Sequence, residues 1–260
     1  YFNYTKQMKE KTKKPLAVCG YKAVKALASL NPQKITRFYY NKERAQEFGS
    51  LCKILAENKT PYNQVENFEL EKLAKSIHHQ GLVAFINEPK IEQLTKEKVS
   101  EFINKKETLL FLDLVGNTNN LGAIIRSAAF FGIKHIIIPE NENQASLATS
   151  TYRVAQGGME YVNLYFVKSS EFFLNDIAGK ILRIGTDLET EESISKIRKK
   201  RGTGAEKKPA LIILGNEQDG ISQKTKNLCD ILIKIPGANT VQSLNVAQAA
   251  SIIFWELTKV

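Results

Sequence analysis

Residues 109–132 read LLFLDLVGNTNNLGAIIRSAAFFG: an apolar run, a turn dense in asparagine, then an Ala/Ile/Phe segment of helical length. A run as apolar as Leu109–Leu112 belongs to a strand covered on both faces, as in a mostly parallel sheet. Four more short β-branched runs follow: HIIIP (135–139), LRIGTDL (182–188), ALIILGNE (210–217) and ILIKIP (231–236). Helical stretches fall between several of them. The closing segment SLNVAQAASIIFWELTK (243–259) has the spacing of an amphipathic helix. It is expected to bury Val246, Ala249, Ala250, Ile253 and either Trp255 or Leu257. Strand and helix alternating over 107–260 predict an α/β domain.

Outward from there, residues 15–90 predict a smaller α/β module. A turn at Gly20 leads into a helix with Val24, Leu27 and Ala28 on one face. Asn31-Pro32 ends it, since the residue before proline is pushed out of the α region. ITRFYY (35–40) reads as a strand, 43–59 and 63–77 as helical, His78–Gly81 as a turn and LVAFI (82–86) as a buried strand. Residues 1–14 read as a basic arm. Residues 91–106, charged and poor in aromatics, read as a linker with at most one short helix.

The chain carries 37 Lys and Arg against 27 Asp and Glu, a net charge of +10. Residues 1–106 hold 20 of the basic and 11 of the acidic side chains; 107–260 hold 17 and 16. Within the second part, Lys196–Lys208 alone has seven basic residues and one acid. That is the distribution of a polyanion binder joined to a near-neutral domain, or of a Lys-rich solvated surface; charge alone does not separate them. A hydrophobic content of 43% excludes a wholly disordered chain. No apolar run approaches the roughly 18–20 residues of a membrane span, and no signal-peptide pattern opens the chain. Cys19, Cys52 and Cys229 fit neither a disulfide framework nor a thiolate metal site. A reduced, cytoplasmic protein is expected, without metal and without membrane attachment. Because the chain starts at Tyr1 and not at Met, it is expected to be part of something longer.

Ligands of open α/β sheets collect beyond the carboxyl ends of the strands. Three such ends carry unusual residues: Val115–Gly132, Leu214–Ser222 and Ile235–Ala250. Arg126 is the only charge in its helix and reads either as a cap on a neighbouring carbonyl or as an anion clamp. Ser243 and Asn245 read either as helix caps or as site residues. No G-x-G-x-x-G, Walker A, H-E-x-x-H or C-x-x-C pattern appears, so nucleotide and metal sites are not supported. The adjacent His78 and His79 shape a turn. What remains suits a neutral-to-cationic ligand held largely by main chain, beside an anionic substrate met by Arg126.

In this order and context, NLGAIIRSAAFFG, LGNE..GIS and IP....VQSLNVA resemble motifs 1, 2 and 3 of the SpoU (TrmH-like) branch of the SPOUT RNA methyltransferases. The match covers most of 109–258. In the front module, CGYKAVKAL, NP.KI and HHQG.VAF resemble the L30e-like substrate-binding domain that many members carry. The resemblance implies transfer of the methyl of S-adenosylmethionine to a ribose 2′-hydroxyl of rRNA or tRNA, with rRNA favoured. It implies a deep C-terminal trefoil knot and a homodimer with the site near its interface. By position, Asn120 and Arg126 would be the motif 1 catalytic pair, Glu217 the motif 2 acid, and Ser243 and Asn245 the motif 3 pair. Leu214, Gly215, Asn216, Gly220, Ile235, Pro236 and Leu244 would line the cofactor pocket. Arg126 would serve as general base or, its pKa being above about 12, as a phosphate clamp. RNA contacts are expected at Lys22, Lys25, His79, Gln80 and Arg153, and in the basic stretch at Lys199, Lys200 and Arg201.

The chain departs from the family pattern at Gly116–Asn119, where Asp-Pro is usual, and at Gln218, Gly237, Asn239 and Ala155–Gly158. Two other readings stand beside this one: a catalytically idle SPOUT-fold protein that binds RNA in assembly, and a small-molecule α/β enzyme with a basic surface.

Overall fold

The computed structural model describes residues 14–216, 218–238 and 240–258. The first half runs β1 (Pro15–Cys19), α1 (Tyr21–Leu30), β2 (Ile35–Tyr40), α2 (Gly49–Glu57), β3 (Tyr62–Gln64), α3 (Asn67–Ala74) and β4 (Leu82–Asn87). The second runs β5 (Glu92–Gln93), α4 (Lys96–Asn104), β6 (Thr108–Asp113), α5 (Thr118–Phe130), β7 (His135–Pro139), α6 (Thr149–Ala155), β8 (Asn163–Val167) and α7 (Ser170–Asp176). It ends with β9 (Leu182–Thr186), α8 (Lys196–Arg201), β10 (Ala210–Gly215), α9 (Gln223–Asn227), β11 (Ile231–Ile233) and α10 (Val246–Thr258).

Two sheets result. The smaller has the order β1-β4-β2-β3, with β4 antiparallel to both neighbours. The larger has seven strands, β11-β9-β10-β6-β7-β8-β5, every pair parallel. Its central strands β6 and β10 are buried along almost their whole length, as the unbroken apolar runs required. The chain lays down β6, β7 and β8 to one side, then β9 on the other. It fills the gap between β6 and β9 with β10. That reversal puts the crevice beyond the carboxyl ends of β6 and β10.

The segment read as a linker is built onto the large sheet. Glu92 and Gln93 pair with Tyr165 and Phe166 of β8, and α4 buries Val99 and Phe102. Phe102 stacks on the His135 ring at 4.0 Å. β1 and β8 were not anticipated as strands, and the segment read as helical from 63 begins as β3, which pairs with β2, before α3 starts at Asn67.

The closing helix forms as expected and buries the expected Ala250, Ile253 and Leu257, but its inward face takes in Ala247 and Phe254 in place of Val246 and Ala249. It buries Ala247, Ala250, Ile253, Phe254, Glu256 and Leu257, while Val246 and Ala249 are half-buried and Trp255 is exposed. The helix is apolar on more than one side, so its neighbour selects the buried one. That neighbour is α5, through Phe131–Phe254 and a 2.8 Å Ser127–Ser251 hydroxyl contact.

One apolar core runs through both sheets, taking in Val24 and Leu27 of α1 together with Tyr152, Ala155 and Met159. No helix among the described residues is long and apolar enough to cross a membrane.

Candidate active site

The site is built where two thirteen-residue helices begin. Asn117 caps α5: its side-chain oxygen accepts the N–H groups of Asn119 at 2.8 Å and Asn120 at 3.2 Å. Asn245 caps α10 by accepting from Ala247 N at 2.9 Å. The other half of its amide donates to Asn120 Oδ1 at 3.0 Å. One amide thus caps a helix and joins two of the three strand-end segments. Two helix N-termini meet there, directing partial positive charge at one place. Ser243 and Leu244, just before, are exposed.

Beyond β10 the backbone folds back on itself. Asn216 and Gly220 exchange main-chain hydrogen bonds at 2.9 and 3.0 Å. Gly215 is obligatory there, because a Cβ on it would stand 2.0 Å from the Gly220 carbonyl carbon. Asn216 Nδ2 donates to the Leu114 carbonyl at 3.1 Å, tying this turn to the end of β6. Leu214 is buried. Glu217 lies outside the described residues. Beneath the turn, the buried Asp113 carboxylate accepts from Thr225 Oγ1 at 2.8 Å and from Ser222 N at 3.4 Å. Sequence reasoning passed over Asp113, although a lone acid inside LLFLDLVG was its signal. Burial pushes the nearby Cys229 thiol up to about 12, so it stays protonated and is no nucleophile.

From β11 the chain leaves through Ile235, half-buried, and the exposed Pro236, and reaches α5 at Asn245. Between β11 and β6 stand β9 and β10, so this segment spans their carboxyl ends. Among the described residues, no N–H of 235–238 or 240–244 donates to another main-chain group. Neutral amides, main-chain donors and two helix starts suit S-adenosylmethionine, whose sulfonium tolerates no competing cation and whose carboxylate and adenine need N–H donors.

Arg126 faces elsewhere. Six residues beyond Asn120, it lies about 9 Å along α5 and about 120° around it. It is exposed, and its side chain forms no hydrogen bond or ion pair among the described residues. It lines a cleft of about 740 Å³ between the two halves of the chain, facing Tyr21, Lys22, Arg44 and Gln80, with Arg153 on its own side. Arg44, which sequence reasoning missed, has its guanidinium 4.8 Å above the Tyr21 ring. Its Nε donates to the Gln80 carbonyl at 3.2 Å. The Gln80 side chain in turn accepts from Tyr21 N at 2.7 Å.

Three of the expected RNA contacts stand differently. His79 is buried, and its Nδ1 accepts from Gly81 N, so it supports the turn instead of meeting a ligand. Lys25 is exposed and paired with Glu47 at 3.2 Å, as Arg44 is at 3.5 Å. Arg201 is buried, four residues from Ile197 on the inward face of α8, with its Nε donating to the Lys208 carbonyl. Burial lowers its pKa. Lys199 and Lys200 are exposed on the same helix. Among the described residues no group of three His, Cys, Asp or Glu side chains could hold a metal ion.

Residues 107–255 match the SpoU rRNA methylase family, which covers more than half of the chain. The chain belongs to the SpoU rRNA methylase family. Residues 17–92 match a second family, described as RNA 2′-O ribose methyltransferase substrate binding. The protein of Acinetobacter baylyi named 23S rRNA (guanosine-2′-O-)-methyltransferase RlmB is 32% identical, over 94% of this chain and 96% of its own. The protein of the same name in Pseudomonas putida is 29% identical, over 93% and 95%. Among solved structures, the SpoU methyltransferase AviRb from Streptomyces viridochromogenes shares the fold at TM-score 0.71. It is 20% identical, over 94% of this chain and 89% of its own. An rRNA methyltransferase from Sinorhizobium meliloti reaches TM-score 0.72 at 21% identity, over 94% and 86%.

Proposed function

We propose that this chain is an S-adenosylmethionine-dependent methyltransferase acting on a ribose 2′-hydroxyl of RNA, with ribosomal RNA favoured over transfer RNA. The observation that carries this reading is the division of labour on α5. Asn120 joins an amide cluster at the strand ends with Asn117 and Asn245, and Arg126 on the same helix opens into a basic cleft. The named activity of its relatives makes a guanosine of 23S rRNA the first substrate to test.

The cofactor supplies an electrophilic methyl group on a sulfonium. The Gly215–Gly220 turn and the segment from Ile235 to Leu244 hold it by main chain, with Leu214, Asn216 and Pro236 at the rim. In-line displacement leaves positioning as the protein's main contribution. Lys22, Arg44 and Arg153 attract the RNA backbone, and Gln80 adds a neutral amide. Arg126 meets the phosphodiester beside the target ribose and lowers the barrier to loss of the 2′-hydroxyl proton, as clamp or as base. Asn120, Glu217, Ser243 and Asn245 orient the reacting groups.

The same reading includes a homodimer across α5 and α10, supported by the exposed Phe130, Ile252 and Trp255 at 83%, 38% and 59% accessibility. Apolar surface of that kind marks an interface. It also includes a C-terminal trefoil knot, an L30e-like domain over 15–90, a methyltransferase domain over 107–260 and a cytoplasmic setting.

Transfer of tritium from labelled S-adenosylmethionine into total RNA, followed by nucleoside mapping, tests the reading. A 2′-O-methylated nucleoside is expected. Cofactor binding without incorporation into any cellular RNA would leave a catalytically idle RNA-binding protein instead.

A further inference from the structure

The two halves of the chain meet along a short strap, Gln156–Glu160, that touches both. On one side Gly157, at φ +93°, lies so close to α1 that a Cβ would stand 2.7 Å from Ala26 Cβ and 3.0 Å from the Lys22 carbonyl oxygen. On the other side, a Cβ on Gly158 would stand 3.1 Å from the Cα of Arg126. The strap ends at Glu160, whose side chain is only 3% accessible. Its Oε2 accepts from Asn31 Nδ2 at 2.7 Å and from Lys34 Nζ at 3.0 Å.

A carboxylate withdrawn from water is costly unless it is paired and hydrogen-bonded. Here the strap of the methylase-family half carries the charge, and the substrate-binding half supplies both of these donors. Separation of the halves would remove both partners at once. The favoured orientation is thus specified by charge and hydrogen bonding, in addition to the shared apolar core. The strap also lies against the backbone of Arg126, so the orientation it sets is the one in which Lys22, Arg44 and Gln80 face that arginine.

We propose that Glu160 is a positioning residue that latches the substrate-binding half onto the catalytic half and so fixes the width of the basic cleft. Its kinetic consequence rests on the RNA-methyltransferase reading; its structural consequence does not. A hydrogen bond to a charged group contributes enough that its loss corresponds to roughly a 10- to 100-fold change in an equilibrium.

The test uses the full chain with Glu160→Ala, Lys34→Glu and the charge-exchanged pair Glu160→Lys with Lys34→Glu. For Glu160→Ala, the KM for RNA is expected to rise about tenfold, while kcat and the dissociation constant for S-adenosylmethionine stay within about twofold. Small-angle X-ray scattering without RNA is expected to show a more open particle. The exchanged pair is expected to recover most of the RNA KM and the compact profile. An unchanged RNA KM with an unchanged profile overturns the latch. So does a loss of cofactor affinity in step with melting temperature, which marks a folding role, and so does an exchanged pair no better than the worse single variant. Should the wild-type protein transfer no methyl group, the scattering comparison alone still decides the latch.

Discussion

The first turn of α5 and its middle present two different chemistries. At the first turn Asn117, Asn120 and Asn245 are neutral, held by side-chain hydrogen bonds of 2.8–3.2 Å and shared between two helix starts. In the middle, Arg126 is charged, exposed and reaches into a cleft that both halves of the chain line. A ligand recognised by main chain needs fixed geometry, because amide donors are weak unless already aimed. A polyanion needs charge with reach, because its phosphates act over a Debye length of about 8–10 Å. One helix serves both needs by presenting different faces.

The largest test of this contrast removes the charge and leaves the amides. Arg126→Ala is expected to lower methyl transfer about 100-fold or more while calorimetry finds S-adenosylmethionine binding intact; undiminished turnover would remove Arg126 from the mechanism. The converse comes next. In Gly215→Ala the new Cβ meets the Gly220 backbone, so unfolding in urea should show a loss of about 3 kcal/mol and calorimetry a loss of cofactor affinity. A smaller effect is expected from Asn245→Ala, which takes away a helix cap and the bond to Asn120. Its cost is about 1–2 kcal/mol in stability, read by urea unfolding, with a weaker effect on RNA binding than on cofactor binding. Least of all, Lys199→Ala with Lys200→Ala should reduce the salt dependence of RNA binding by roughly one logarithmic unit of slope per lysine and leave cofactor binding alone. An identical salt slope would make α8 a solvated surface.

The most plainly legible strands were those whose burial is two-sided, although the partly exposed β2 was legible too. Leu109–Leu112 and Leu211–Leu214 have no polar residue, so no other environment suits them. β8 alternates between buried and partly open positions, and β5 is two polar residues that become a strand only by lying along β8. Around the site, Gly215 came only with the family resemblance, while the helix start at Asn119–Gly122 and the cap at Asn245 were legible as local devices. Arg44 was not, since an arginine in a Glu-Arg pair looks like any solvated charge until the chain folds Tyr21 and Gln80 around it. Arg201 misled for the complementary reason: a basic run declares its charge but not which residue faces inward.

The sequence by itself determined the α/β class, the two halves, the three strand-end segments and the residue types that meet there. These depend on local pattern: apolar runs, caps, glycine turns and the uneven distribution of charge. Tertiary structure alone decided that Asn120 bonds Asn245 while Arg126 turns away from both. It also decided that α10 leaves Trp255 outside and that a buried Glu160 finds its partners in the other half of the chain. Each is a contact between residues more than a hundred positions apart, or a choice between two usable faces of one helix. Only the packing of a particular neighbour makes that choice.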